Sequence, residues 1–186
     1  PIKCAILASG SGTNAENLMK YAEANPNKIT IECVISDKAD AFVLERAKKF
    51  NVPTFAVPYD KKLGRIDHET KILNILSEYK IYFVLLAGYM RILTPTFINA
   101  YNNTKENGFI LNIHPSYLPA FKGADAFHDA FNANVSYSGI TIHLVSQELD
   151  SGKILLQEKF ERNLTDTFED FYNRGRKVEE RIYKNA

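Results

Sequence analysis

Six consecutive apolar residues, Tyr82 to Ala87 (YFVLLA), constrain this chain more than any other stretch. A strand apolar on both faces needs cover on both faces, the condition of a central strand in a parallel sheet layered between helices. Gly88 ends it. Apolar runs at residues 3–8, 29–36, 54–57 and 109–113 read as further strands. Between them lie stretches of helical period. One helix is predicted over residues 14–24, capped by Asn14 and stopped by Asn25-Pro26. Another spans 40–50, with Phe42, Leu44, Ala47 and Phe50 on one side, and a third spans 66–79, carrying Ile66, Ile72, Leu73, Ile75 and Leu76. Beyond residue 113 come a helix over 123–132, strands over 138–145 and 153–160, and a closing helix over 165–183 capped by Thr165 or Asp166. The alternation predicts an α/β fold: a doubly wound, mostly parallel sheet with helices on both faces, as a single domain over residues 1–186. Ligands of such sheets bind beyond the carboxyl ends of the strands. Polar residues at those ends are therefore the candidates for chemistry.

Composition narrows the partners. Charged residues are 24% of the chain but nearly cancel to a net +1, too little for a broad field that would hold nucleic acid or an acidic membrane. Small-molecule substrates are expected, with any anion held locally by a few donors, and no nucleic acid or membrane partner; the chain is a monomer or a homodimer. Cys4 and Cys33 each lie within a strand run and match no metal spacing, as expected of inert core thiols in a reducing compartment. There is no signal-peptide pattern and no run of about 18 apolar residues, so a cytoplasmic location is expected. A start at Pro1 without an initiator Met suggests processing or trimming.

Four stretches carry candidate chemistry. Ser9-Gly10-Ser11-Gly12-Thr13-Asn14 follows the first strand and feeds a helix. Free backbone N–H groups and the helix dipole there suit a phosphate, and glycines let the main chain approach it; an ordinary capped turn is the other reading. It is not the dinucleotide fingerprint, because Ala15 stands at the third glycine position. In Asn112-Ile113-His114-Pro115-Ser116, strand alternation places Asn112 and His114 on one face. A carboxamide beside an imidazole can polarise a carbonyl and stabilise a tetrahedral oxyanion, although a lone His at a strand end is often structural. Leu149-Asp150-Ser151-Gly152 is a turn whose aspartate serves turn chemistry or, if it meets His114 in space, raises the imidazole pKa. Gly88-Tyr89-Met90-Arg91-Ile92-Leu93 offers exposed backbone to a flat heterocycle with Met90, Ile92 and Leu93 covering its faces, or is a plain connector.

Other candidates are weaker. His143 either borders a site or is a satisfied half-buried residue. His68 and His128 are expected on solvent-facing helix surfaces, and the mixed charges of residues 174–181 on a solvated helix face. No His, Cys or acidic residues recur at metal-ligand spacing, so no metal is expected.

Together, Ser9-Gly10-Ser11-Gly12-Thr13-Asn14, Lys38-Ala39-Asp40-Ala41, Leu86-Ala87-Gly88-Tyr89-Met90-Arg91-Ile92-Leu93, Leu111-Asn112-Ile113-His114-Pro115-Ser116 with Leu118-Pro119, and Glu148-Leu149-Asp150-Ser151-Gly152 resemble, in this order, the glycinamide ribonucleotide formyltransferase family. The likeness runs from Ile2 to about Tyr183. It implies the formyltransferase fold and transfer of a formyl group from 10-formyltetrahydrofolate, a co-substrate, to the amine of 5'-phosphoribosylglycinamide in purine biosynthesis. By position it implies that Gly12, Thr13 and Asn14 hold the substrate phosphate and that Asn112, His114 and Asp150 form the catalytic triad. Met90, Arg91, Ile92 and Leu93, with Asn112 and the loop Ser146, Gln147, Glu148, Leu149 and Asp150, would form the folate pocket. Glu179, in a Glu-x-x-Ile-Tyr pattern, would contact the ribonucleotide. The chain departs from the family at Glu180 and Lys184, and its C-terminal tail is short by comparison. Other formyltransferases of the fold, a formyltetrahydrofolate hydrolase and a non-catalytic nucleotide or folate module are the alternatives. The hydrolase would be expected to carry an extra N-terminal domain, and a methionyl-tRNA formyltransferase, one of the other formyltransferases of the fold, a basic C-terminal one.

Overall fold

Apolar runs and helical periods alternate in the chain as they do along the sequence. The computed structural model describes residues 1–101, 109–123, 126–146 and 153–182, which fall into two units, Pro1–Leu111 and Asn112–Ala186. The class is the predicted one: a seven-stranded, mostly parallel sheet accompanied by six helices among the described residues.

In the first unit, β1 (Ile2–Leu7), β2 (Ile29–Ser36), β3 (Thr54–Ala56) and β4 (Phe83–Leu86) lie in the order β3-β2-β1-β4. All three pairings are parallel. The chain steps outward from β1 to β3 and then returns to the other side of β1, so the order of strands reverses between β1 and β4. Right-handed crossovers put α1 (Thr13–Ala24) and α2 (Phe42–Lys49) on one face and α3 (Gly64–Glu78) on the other. The central strands are sealed: Ala5, Ile6, Leu7, Cys33, Val34 and Ile35 expose no surface. Each such large aliphatic side chain contributes about 2 kcal/mol over leaving it in water. A short helix α4 (Pro95–Tyr101) follows β4, and β5 (Ile110–His114) begins in this unit and ends in the next.

In the second unit, β6 (Tyr137–Leu144) pairs antiparallel with β7 (Ile154–Glu161). The helices α5 (Ala126–Asn132) and α6 (Phe168–Ile182) meet over an aromatic cluster in which Phe127, Phe160 and Phe171 pack ring to ring.

Several local expectations shift. The first helix opens at Thr13 with Gly12 as its cap in the left-handed region, so Asn14 lies inside the helix rather than capping it. The second helix starts at Phe42, not Asp40, and buries Val43, Leu44 and Ala47. Phe42 is 49% exposed, its ring under the Arg46 guanidinium. Ile66 is exposed because α3 turns its Ile72 and Leu76 stripe inward. Helix α6 is capped by Thr167, not by Thr165 or Asp166. The Thr167 hydroxyl accepts from the Asp170 N–H at 3.2 Å and the Asp170 carboxylate accepts from the Thr167 N–H at 3.1 Å, a reciprocal capping box. The charged stretch of α6 is not a uniform solvated face, since Val178 and Glu179 are buried. Both cysteines are buried, and burial first, with Glu32's charge second, pushes each thiol up to about 12.

Candidate active site

Beyond β1, backbone geometry makes the turn. Gly12 has φ of 79°, and a Cβ built there would lie 2.4 Å from Val43 Cγ2, so both conformation and space demand glycine. The carbonyls of this turn are tied back. Gly10 accepts from the Val43 N–H at 3.1 Å, Ser11 from Arg46 Nε at 2.6 Å, and Gly12 from the Glu16 N–H at 2.8 Å. Arg46 is itself steadied by an ion pair with Glu16. With the oxygens turned onto the helices, the start of α1 presents its N–H side, as an anion cradle needs. Gly10 and Ser11 are exposed, Thr13 is half-buried and Asn14 is buried.

Ser9 joins this turn to the segment beyond β4. Its N–H donates to the Gly88 carbonyl at 3.1 Å, and its hydroxyl accepts from the Met90 N–H at 2.9 Å. The two motifs thus meet where the strand order reverses, the ligand position of open α/β sheets. Residues 89–93 wall a cavity of about 180 Å³ that Tyr59, Arg65, His68 and Glu69 complete. Met90 and Ile92 are exposed and Leu93 is buried. Arg91 lies over the Tyr59 ring at 4.2 Å and pairs with the buried Asp37 at 3.4 Å. Burial, then the charge of Asp37, raises the Tyr89 phenol well above its ordinary value, so it is a neutral hydrogen-bonding group.

His68 corrects the expectation of a solvent-facing helix surface. It is 4% exposed, its Nε2 bonded to the Val57 carbonyl at 2.6 Å and its ring edge-on to Tyr59. The missed signal was helical spacing. His68 and Glu69 precede Ile72 and Leu76 by three to eight positions and share their inward stripe. His128 is exposed as expected, stacked on Phe168.

In the second unit, β5 delivers Asn112 and His114 to its carboxyl end. His114 Nε2 lies 2.8 Å from the Phe121 carbonyl; a carbonyl only accepts, so the ring carries a proton on Nε2. The loop that supplies this carbonyl is braced from β6 and β7. Thr141 Oγ1 donates to the Ser116 carbonyl at 2.7 Å and accepts from the Leu118 N–H at 3.2 Å, while Gln157 Nε2 donates to the Leu118 carbonyl at 2.9 Å. His143, left open by the sequence, is buried and works on Asn112. Its Nδ1–H donates to the Leu144 carbonyl at 3.0 Å, which leaves Nε2 to accept from the Asn112 carboxamide at 3.4 Å. The two contacts place a proton on Nδ1 and orient the amide.

Ser146 follows β6, and Glu179 is buried in α6. Gln147, Glu148, Leu149 and Asp150 lie outside the described residues. Among the described residues no three His, Cys, Asp or Glu side chains gather in a metal-holding group.

A doubly wound sheet with a small-residue turn and an Asn-x-His strand end defines the formyl transferase class, and the formyl transferase family model matches residues 2–186. The chain is 36% identical over 184 residues to the phosphoribosylglycinamide formyltransferase of Bacillus subtilis, covering 99% of this chain and 92% of that protein. It belongs to the phosphoribosylglycinamide formyltransferase family. The solved phosphoribosylglycinamide formyltransferase of Streptococcus pneumoniae superposes with a TM-score of 0.89 at 38% identity, covering 100% of this chain and 96% of that one. Against the trifunctional purine biosynthetic protein adenosine-3 of Gallus gallus the chain is 35% identical and spans 18% of its length.

Proposed function

We propose that this protein transfers the formyl group of 10-formyltetrahydrofolate to the amino group of 5'-phosphoribosylglycinamide by direct attack through a tetrahedral intermediate. The observation that carries the reading is the pair at the end of β5. Asn112 and His114 stand two residues apart, the Asn112 carboxamide turned to His143 and His114 Nε2 donating to the Phe121 carbonyl. A carboxamide nitrogen has two protons; one engages His143, and the other is available to a developing oxyanion.

The substrate phosphate rests on Gly12, Thr13 and Asn14, with Glu179 contacting the ribonucleotide. The donor lies against Met90, Arg91, Ile92 and Leu93, Asn112, and the loop Ser146, Gln147, Glu148, Leu149 and Asp150. The amine nitrogen attacks the formyl carbon, a new C–N bond forms, and the formyl oxygen becomes an oxyanion stabilised by Asn112 and protonated His114. Collapse breaks the bond from the formyl carbon to the folate nitrogen, and the proton lost by the amine passes to that nitrogen with assistance from Asp150. No covalent bond to the enzyme forms. No helix among the described residues is long and apolar enough to cross a membrane.

The test is release of tetrahydrofolate from 10-formyltetrahydrofolate by purified protein, with and without the phosphorylated amine. Release only in its presence is expected. Release without it identifies a hydrolase, and none in either case a binding module. His114→Ala should lower turnover at least about 10²-fold, the loss typical of a missing general acid–base group. Near-normal turnover would remove His114 from the mechanism.

A further inference from the structure

We propose that Glu69 is a positioning residue of the formyl-donor pocket, holding the wall of residues 89–93 in place from helix α3. The proposal rests on the reading above that this segment contacts the donor.

Glu69 lies on the inward stripe of α3 and is 5% exposed, where Ile72 and Leu76 continue the stripe as apolar residues. A carboxylate in that position is costly to desolvate unless its oxygens are hydrogen-bonded. Both oxygens go to one residue. Oε2 accepts from the Thr94 N–H at 2.9 Å, and Oε1 accepts from the Thr94 hydroxyl. Thr94 is the residue at which the cavity wall ends and α4 begins. Its carbonyl accepts from the Ile98 N–H at 3.1 Å, the first turn of that helix.

The other end of the wall is fastened by Ser9, through Gly88 and Met90. Between the two fastenings residues 89–93 have no helix or strand of their own. Met90 and Ile92 are exposed, and between the fastenings the segment is held only by buried Leu93 and by Arg91 on Asp37 and Tyr59. A loop that recognises a ligand by shape binds well only if it is ordered before the ligand arrives. Glu69 supplies that order at the far end, from a helix that does not itself belong to the loop. A plain stability role would predict equal effects on both substrates, whereas positioning predicts an effect on the donor alone.

Four variants separate these roles when each substrate is varied in turn. Glu69→Leu fills the same space and removes both acceptors, whereas Glu69→Gln still accepts from the Thr94 N–H and donates to its hydroxyl. Thr94→Val deletes one contact and Thr94→Ser keeps both. Glu69→Leu should raise the donor KM roughly tenfold and Thr94→Val severalfold, with kcat and the KM of the phosphorylated amine within about twofold of wild type. Glu69→Gln and Thr94→Ser should stay close to wild type. The idea is overturned if the donor KM does not move in Glu69→Leu and Thr94→Val, or if kcat and both KM values worsen together. Should Glu69→Leu not fold, Thr94→Val against Thr94→Ser gives the same decision. Ile92→Ala checks the pocket itself. If it leaves the donor KM unchanged, the donor-wall reading falls and the positioning role with it; if it raises the donor KM while the Thr94 and Glu69 variants do not, only the positioning role falls.

Discussion

Single atoms decide what the turn after β1 tolerates. Gly12 and Gly10 are two residues apart, and only one is irreplaceable. A Cβ at Gly12 would fall within 2.5 Å of two Val43 side-chain atoms on a backbone with positive φ, whereas nothing lies within 4 Å of a Cβ at Gly10. Gly12→Ala should therefore lose roughly 1–3 kcal/mol of stability through overpacking and strain. It should also raise the KM for the phosphorylated amine, because Val43 and the turn must separate. Urea unfolding beside Gly10→Ala, expected to change stability by no more than about 0.5 kcal/mol, checks the contrast. Equal stabilities would mean that the turn relaxes freely. The polar residues show the limit of reading at this scale. Asn112 and His114 were legible from strand alternation, but Glu69, His68 and His143 owe their importance to Thr94, Val57 and Asn112, which a local pattern does not bring near.

Helices and strands were legible where one period dominates. The long strands and α1, α2 and α3 appear within a few residues of their expected places, since an apolar run or a stripe of 3.6-residue period signals burial directly. Helix α4 carries a signal that was passed over: Thr94 before Pro95 is a cap followed by proline in the first turn. At the start of α6, Asp166 was expected as a cap and instead receives Arg174, at 2.6 and 3.1 Å. That hydrogen bond, and then the Asn163 N–H, holds the Asp166 carboxyl below its ordinary value of 3.8. A carboxyl lowered by folding adds stability above its unfolded pKa and loses it as pH falls through the folded one. Wild type should be more stable than Asp166→Asn at neutral pH, with the difference closing in acid. Urea titrations at a series of pH values measure it, and a pH-independent gap would show that Asp166 acts through shape rather than charge.

At the scale of the molecule, the fold's contribution is to gather strand ends. In the first unit the reversal of strand order puts the small-residue turn after β1 and the segment of residues 89–93 on adjacent strands, joined through Ser9. In the second, a strand end and a braced loop set the states of Asn112 and His114. The proposed mechanism adds Asp150, 36 residues beyond His114 in the chain. A carboxylate beside an imidazole favours its charged form, so Asp150→Asn should lower the His114 pKa in an NMR titration of the ring. An unchanged titration would separate the two residues and leave His114 to act without the carboxylate.

The sequence by itself determined the α/β class, the order of strands and helices apart from α4, and the placement of the motifs after β1 and β4 and at the end of β5. Each of these follows from apolar runs, helical period and turn residues, which act over a few positions. Tertiary structure alone decided which polar side chains are enclosed and in what state. Glu69 is a buried carboxylate because Thr94 answers both its oxygens, and His143 turns Nε2 to Asn112 because its Nδ1–H is bonded to the Leu144 carbonyl. Desolvating such groups is tolerable only when a partner is present, and those partners are chosen by how the chain folds back on itself.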